Sequence, residues 1–292
     1  MRWPFAVLLG SAFVVRQALA DLTFTVTATR NGVAIPQSEI KIEPFEFGRG
    51  SVSQGTPARR ARRKSRRSNP IATSANWCGS VNSAPSGNQI KTIHASFQHP
   101  SCSQRSGMSL YPQAEANWVG IDGDTYKSAL LQAGTLCTLC LRRHLAWWQW
   151  VPSGAYTITS LPVSPDDWIE VTIDTASDTE AEITIANLSQ QQVYTMHIGT
   201  GPTLARVDAD WVVERPYFDG ALAGFPTFTD VWFEEAYANL TSSSPSSLGI
   251  LGAKQYQIPD LSSKEDGSMR DGGGGIFLMR GLLGTGGRWF RR

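Results

Sequence analysis

The chain has 292 residues, 17% of them charged, with 26 Lys/Arg against 25 Asp/Glu and a formal net charge of +1. That near-neutrality is unevenly laid out: residues 1–67 hold 12 Lys/Arg and 4 Asp/Glu, so residues 68–292 hold 14 and 21, a net charge of −7. An acidic body repels phosphate backbones, which argues against tracking nucleic acid, and no later apolar run approaches the roughly 18 residues of a membrane-spanning helix.

Residues 1–20 read as a secretory signal peptide. Arg2 is the positive start, Trp3 to Val15 is mostly apolar, and Ala18-Leu19-Ala20 is a small-x-small cleavage site. Residues 21–67 end in Arg59, Arg60, Arg62, Arg63, Lys64, Arg66 and Arg67. Such a run ordinarily marks a disordered basic arm or a nucleic-acid patch. Just ahead of a domain in an exported chain it reads instead as the processing region of a basic propeptide.

Residues 68–271 read as one β domain. Segments of period two recur at Ile90–Phe97, Glu115–Ile121, Ala146–Val151, Ala155–Leu161, Trp168–Asp174, Ala181–Leu188, Gln192–Ile198, Ala209–Glu214 and Phe225–Phe233. Val, Ile, Thr, Trp and Tyr dominate them, and Gly, Pro, Asn, Asp and Ser separate them. This is the pattern of an antiparallel sandwich or barrel. In Trp168–Asp174 the residues Ile169, Val171 and Ile173 fall on one face and Glu170, Thr172 and Asp174 on the other, so one face is wet. Residues 272–292 form a Gly-rich tail that lacks a final alternating strand.

Ten tryptophans are an oddity of composition, and Trp147, Trp148 and Trp150 cluster. Strand alternation puts Trp148 and Trp150 on one side and Trp147 on the other, so at least one of the three faces a groove or a partner. The four cysteines are Cys78, Cys102, Cys137 and Cys140. Export favours disulfides, and four cysteines allow three pairings, all open here. Asn187-Leu188-Ser189 and Asn239-Leu240-Thr241 are glycosylation sequons.

For chemistry, two segments stand out. Asn117-Trp118-Val119-Gly120-Ile121-Asp122-Gly123-Asp124 runs on to Leu131-Gln132-Ala133-Gly134, and Ala209-Asp210-Trp211-Val212-Val213-Glu214 lies far downstream. Each sets a polar residue, Gln132 or Glu214, on an apolar strand-like run. If the two meet in a cleft, they suit attack of water on an amide. The four histidines, His94, His99, His144 and His197, show no metal-ligand spacing, and GxSxG is absent. Asp122 reads as a turn residue bonded to neighbouring groups.

These segments resemble the glutamic peptidases, the eqolisin family of secreted, acid-acting endopeptidases. Ser74–Gly79 is similar to the SNW-x-G strand, and Trp118–Asp124 with Ala129–Gly134 to WVGIDGD…AILQTG. Ala146–Pro152 is similar to AWYEWYP, Glu182–Leu188 to the ENLT region, and Ala209–Glu214 to AE-(W/F)-I-(V/I)-E. The resemblance implies a concanavalin-like all-β sandwich of two packed antiparallel sheets, with Gln132 and Glu214 as the catalytic pair. Trp118, Asp122, Trp147 and Gln149 then line or support the substrate cleft, Gln149 standing where the family motif has Glu. It also implies a basic propeptide that shields the enzyme. The expected partners are protein or peptide substrates, with no nucleic acid, no membrane, no metal and no cofactor, and the expected state is an extracellular monomer. The rival expectation is a catalytically impaired, lectin-like binding module. A glucanase on the same fold would need two facing carboxylates, which Gln132 does not supply.

Overall fold

The computed structural model describes residues 22–45, 52–56, 70–107, 112–139, 143–218, 220–242, 246–258 and 275–279. The signal peptide, the basic run 59–67, Cys140 and most of the Gly-rich tail lie outside the described residues. Two large sheets make up the body. The first has nine strands, in the order Val33–Ala34, Thr23–Arg30, Gln192–Thr200, Ala181–Asn187, Trp168–Thr175, Ile90–Gln98, Val231–Leu240 and Ser247–Gly249, with Gly275–Met279 also paired to Val231–Leu240. The second has ten, in the order Ile42–Phe45, Ala155–Ile158, Arg143–Val151, Leu130–Thr138, Ala114–Ile121, Asp208–Glu214, Trp77–Ser83, Lys254–Gln257, Ile71–Ser74 and Gly55–Thr56. Neighbours are antiparallel except Lys254–Gln257 with Ile71–Ser74. The fold is an all-β sandwich.

Alternation decides what each face meets. Ile169, Val171 and Ile173 are buried while Asp174 beside them is exposed, as their period predicts. They pack with Ile183, Ile185, Tyr194 and Met196 of their own sheet against Val119, Leu131, Trp148, Trp150 and Trp211 of the other. Burying each such side chain contributes roughly 1.5–3 kcal/mol. Trp211 also donates from its indole to the His94 carbonyl across the sandwich at 3.0 Å. Tight strand contact leaves two positions to glycine: a Cβ on Gly134 would lie 1.9 Å from the Asn117 carbonyl, and one on Gly79 2.2 Å from that of Trp211.

One expectation needs correction. The Gly-rich tail does hold a strand, Gly275–Met279, antiparallel to Val231–Leu240, because Ile276 to Met279 is a β-forming run that its glycine context masked. Thr23–Arg30 pairs along its length with Gln192–Thr200, while Ile42–Phe45 and Gly55–Thr56 occupy opposite edges of the ten-stranded sheet.

Between the sheets lies a polar island. His99 accepts or donates at both ring nitrogens, to Thr135 at 2.8 Å and His144 at 2.7 Å. Burial, with His144 nearby, lowers the His99 pKa to about 3. Cys102 and Cys137 form a disulfide, one of the open pairings, and Cys78 is buried. Glu115 is sealed here too, and desolvation raises its pKa to about 8. Folding therefore retains protons on Glu115, and on the buried carboxyls Asp210 and Glu214, that the unfolded chain releases above the ordinary carboxylate range. Above 6.5, the ordinary histidine value, the buried imidazoles are neutral in either state and no longer oppose this effect. Stability must then fall as pH rises. We expect the melting temperature of the full chain to drop by roughly 5 °C or more between pH 6.5 and 8, and Glu115→Gln to flatten part of that slope in calorimetry; a flat wild-type profile would refute the assignment.

Candidate active site

The ten-stranded sheet turns its second face away from its partner sheet. On that face stand the residues of opposite parity: Trp77, Val81, Ala116, Trp118, Leu130, Trp147, Val212 and Tyr256 form a second apolar cluster. Gln132 and Glu214 share this face. Their strands flank Ala114–Ile121 on either side, with Gln132 opposite Gly120 and Glu214 opposite Ala116. They are thus four residues apart along the central strand, both fully buried, and among the described residues no hydrogen bond joins them.

Trp118 stands on the diagonal between them. Its indole Nε1 donates to Glu214 Oε2 at 2.9 Å, and its ring edge lies over Gly120, where an added Cβ would be 2.8 Å from Cζ3. Asn76 Nδ2 donates to Glu214 Oε1 at 3.3 Å, and Trp77 supplies a third side-chain hydrogen bond. Burial pushes the Glu214 pKa well above the usual carboxylate value, and these donors oppose the shift in part. In this closed arrangement burial favours the neutral form of the Glu214 carboxyl.

Gln132 is oriented by a relay. Its Nε2 donates to Gln149 Oε1 at 3.0 Å, and Gln149 Nε2 donates to the Ser153 carbonyl at 3.2 Å. A flipped Gln132 amide would set two carbonyl oxygens against each other, so its own oxygen is turned away. That oxygen, Oε1, is buried with no hydrogen-bond partner among the described residues, an unusual cost that a bound water or substrate would remove. Trp147 faces this side beside Gly134, fully buried, while Trp148 and Trp150 face the sandwich interior, as alternation requires.

Asp122 sits apart from the pair. At φ +71° in the turn after Ala114–Ile121, it accepts from the backbone N–H groups of Ala205, Arg206, Val207 and Asp208. It anchors the chain entering Asp208–Glu214, a supporting role. Asn187 is buried, its amide donating to Pro162 and Asp167 and accepting from Gln190. The second sequon residue, Asn239, is half-buried at the end of Val231–Leu240. Among the described residues no group of three or more His, Cys, Asp or Glu is arranged to hold a metal.

Two residues of the site escaped the sequence reading. Asn76 and Asp210 both fall within quoted motifs, yet nothing in their spacing signals a contact. Asp210 pairs with Gly120, level with Gln132 on the same face. It is fully buried with no partner for either oxygen among the described residues. Desolvation, then the acidic neighbours Asp208, Asp124 and Asp122, push its pKa far up.

The sequence profile of the Peptidase A4 family matches residues 75–268. Aspergillopepsin-2 of Aspergillus niger is 31% identical over 218 residues, covering 67% of this chain and 72% of its own length. Scytalidopepsin B of Scytalidium lignicola is 29% identical over 142 residues, covering 48% of this chain and 51% of its own. In fold, the chain is similar to scytalido-glutamic peptidase solved with a peptide-based transition state analogue, at TM-score 0.57 and 24% identity over 71% of this chain and 98% of the other. A structure of SCP-B, of the eqolisin family, in complex with the tripeptide Ala-Ile-His gives a TM-score of 0.55 at the same identity and coverage. With a match across most of its body, the chain belongs to the peptidase A4 family and is a glutamic-type peptidase.

Proposed function

We propose that the protein is a secreted, acid-acting endopeptidase in which Glu214 and Gln132 share the chemistry, and that residues 21–67 keep it inactive until they are removed. The observation that carries this is the setting of Glu214: a carboxyl sunk in an apolar face, met by the N–H groups of Trp118, Asn76 and Trp77. Donors of that kind favour the anion once water enters. Val52, whose carbonyl accepts from Asn76 Nδ2, is part of what packs over this face. Losing that cover would lower the Glu214 pKa toward the ordinary carboxylate range and give an ionised base at acidic pH.

The reaction then balances as follows. Glu214 takes a proton from water as the water oxygen bonds to the scissile carbonyl carbon. Gln132 Oε1 accepts the other water hydrogen, and the second Nε2 hydrogen, left over from the Gln149 contact, donates to the oxyanion. The carbonyl re-forms, the C–N bond breaks, and Glu214 returns its proton to the leaving nitrogen.

Gln132→Ala and Glu214→Gln are each expected to lower kcat by at least 10² to 10³ on a denatured protein substrate at acidic pH, with circular dichroism unchanged; near wild-type turnover by purified Glu214→Gln would defeat the assignment. Trp118→Phe removes a donor to the carboxylate. It should cost roughly 10- to 100-fold in kcat/KM and move the acid limb of the pH–rate profile upward, since Glu214 must lose its proton to act. An unshifted limb would show that Trp118 does not tune the base.

A further inference from the structure

Residues 52–54 are held in a manner the family assignment does not explain. Four of their backbone groups are bonded. The Gln54 N–H donates to Asn76 Oδ1 at 2.9 Å, and Asn76 Nδ2 donates to the Val52 carbonyl at 3.2 Å. On the other edge the Ser53 N–H donates to the Gly123 carbonyl at 3.0 Å, and Lys127 Nζ donates to the Ser53 carbonyl at 2.6 Å. Groups of residue 53 point one way and those flanking it the other, the alternation of an extended strand. The side chains agree: Ser53 is fully buried, Val52 half-buried and Gln54 exposed.

The hydrogen bonds of this grip read no side chain at residues 52 and 54, since each is made to main chain; the Val52 side chain packs on the apolar cluster and Gln54 is exposed. Asn76 is fixed in orientation by its neighbours: its oxygen accepts from Ser74 Oγ at 3.0 Å, and its nitrogen serves Val52 and Glu214 together. A flipped amide would set its oxygen against two acceptors. One carboxamide thus ties an extended peptide directly to the candidate general base. Residue 53 is the one whose side chain is fully buried, beside the Tyr256 hydroxyl. Tyr256 is itself buried and held by Asp124 and Lys254, so a side chain at residue 53 is enclosed against a fixed phenol.

We propose that the cleft between Asn76 and Gly123–Lys127 is a substrate subsite for an extended peptide, occupied here by the chain's own Val52-Ser53-Gln54, and that it selects a residue no larger than Ser, Thr or Ala at the central position. The link from subsite to bond cleavage rests on the reading of Glu214 given above; the binding itself does not. Recognition through strand-edge main-chain bonds with one side-chain pocket is a general way to bind many sequences while restricting one position.

Three measurements on the full-length protein test this. Hydrogen exchange should show the Ser53 and Gln54 amides protected in the wild type, with that protection lost in Ser53→Trp and the Ser53 amide loosened in Lys127→Met. The hexapeptide acetyl-Ser-Val-Ser-Gln-Gly-Thr-amide, residues 51–56, should bind Ser53→Trp, whose own segment is displaced, and its counterpart with Trp at the third position should bind at least about tenfold more weakly, as a filled pocket demands. Mass spectrometry of peptide-library cleavage by the secreted wild type should find small residues enriched at one fixed position from the scissile bond, and Tyr256→Phe should erode Ser/Thr over Ala there. Unprotected amides, equal binding of the two hexapeptides, or a library profile without a small-residue position would each overturn the subsite. If Glu214→Gln still cleaves, the catalytic reading fails while the exchange and peptide results continue to decide this one.

Discussion

A carboxyl sealed in an apolar face costs several kcal/mol unless donors meet it or a proton neutralises it. Glu214 has both compensations available: three N–H donors and, in the closed state, a raised pKa. The surrounding architecture follows from supplying those donors. Trp118 and Trp77 meet edge to face with centroids 5.0 Å apart, each fixing the other's ring, and Gly120 is bare so that the Trp118 indole can lie flat along its strand. Asn76 is held in turn by Ser74 and its own backbone, its carbonyl receiving the Arg215 N–H at 2.7 Å.

Gln132 obeys a different constraint. Its amide must point one way, and the uncharged Gln149 enforces this through a carbonyl acceptor anchored on Ser153. A neutral relay holds its geometry independently of pH, which a carboxylate at position 149 would not. Asp210, level with Gln132 and without partners for either oxygen among the described residues, adds a second buried carboxyl to the same face. Three groups that share one wall therefore differ in what they offer: a carboxyl met by donors, an oriented amide and a carboxyl without them.

Much of this was legible in the residues. Period-two runs such as Trp168–Asp174 placed the strands, and the Trp147/Trp148 alternation sorted the two faces correctly, because side-chain period in a strand is fixed by geometry. What escaped has a common cause. Thr23–Arg30 alternates as cleanly as any strand, yet the basic run downstream of it dominated the reading, and pairing with Gln192–Thr200 is a contact across about 160 positions that no local pattern encodes. The roles of Asn76 and Asp210 depend on register between strands distant in sequence, as does the burial of Asn187. The strand Gly275–Met279 was hidden by its glycines, since composition averages over a window that a five-residue element does not fill.

The placement of Ile42–Phe45 and Gly55–Thr56 at opposite rims of one sheet has a further result. Maturation, if it strips this segment, takes a border strand from each side and a third from beside Gln192–Thr200. Three rows of backbone amides and carbonyls would be bared at once, the kind of surface on which polypeptides self-associate. An activation step of this form must therefore be matched by acid-state charge or crowding control that keeps newly opened molecules from zipping together.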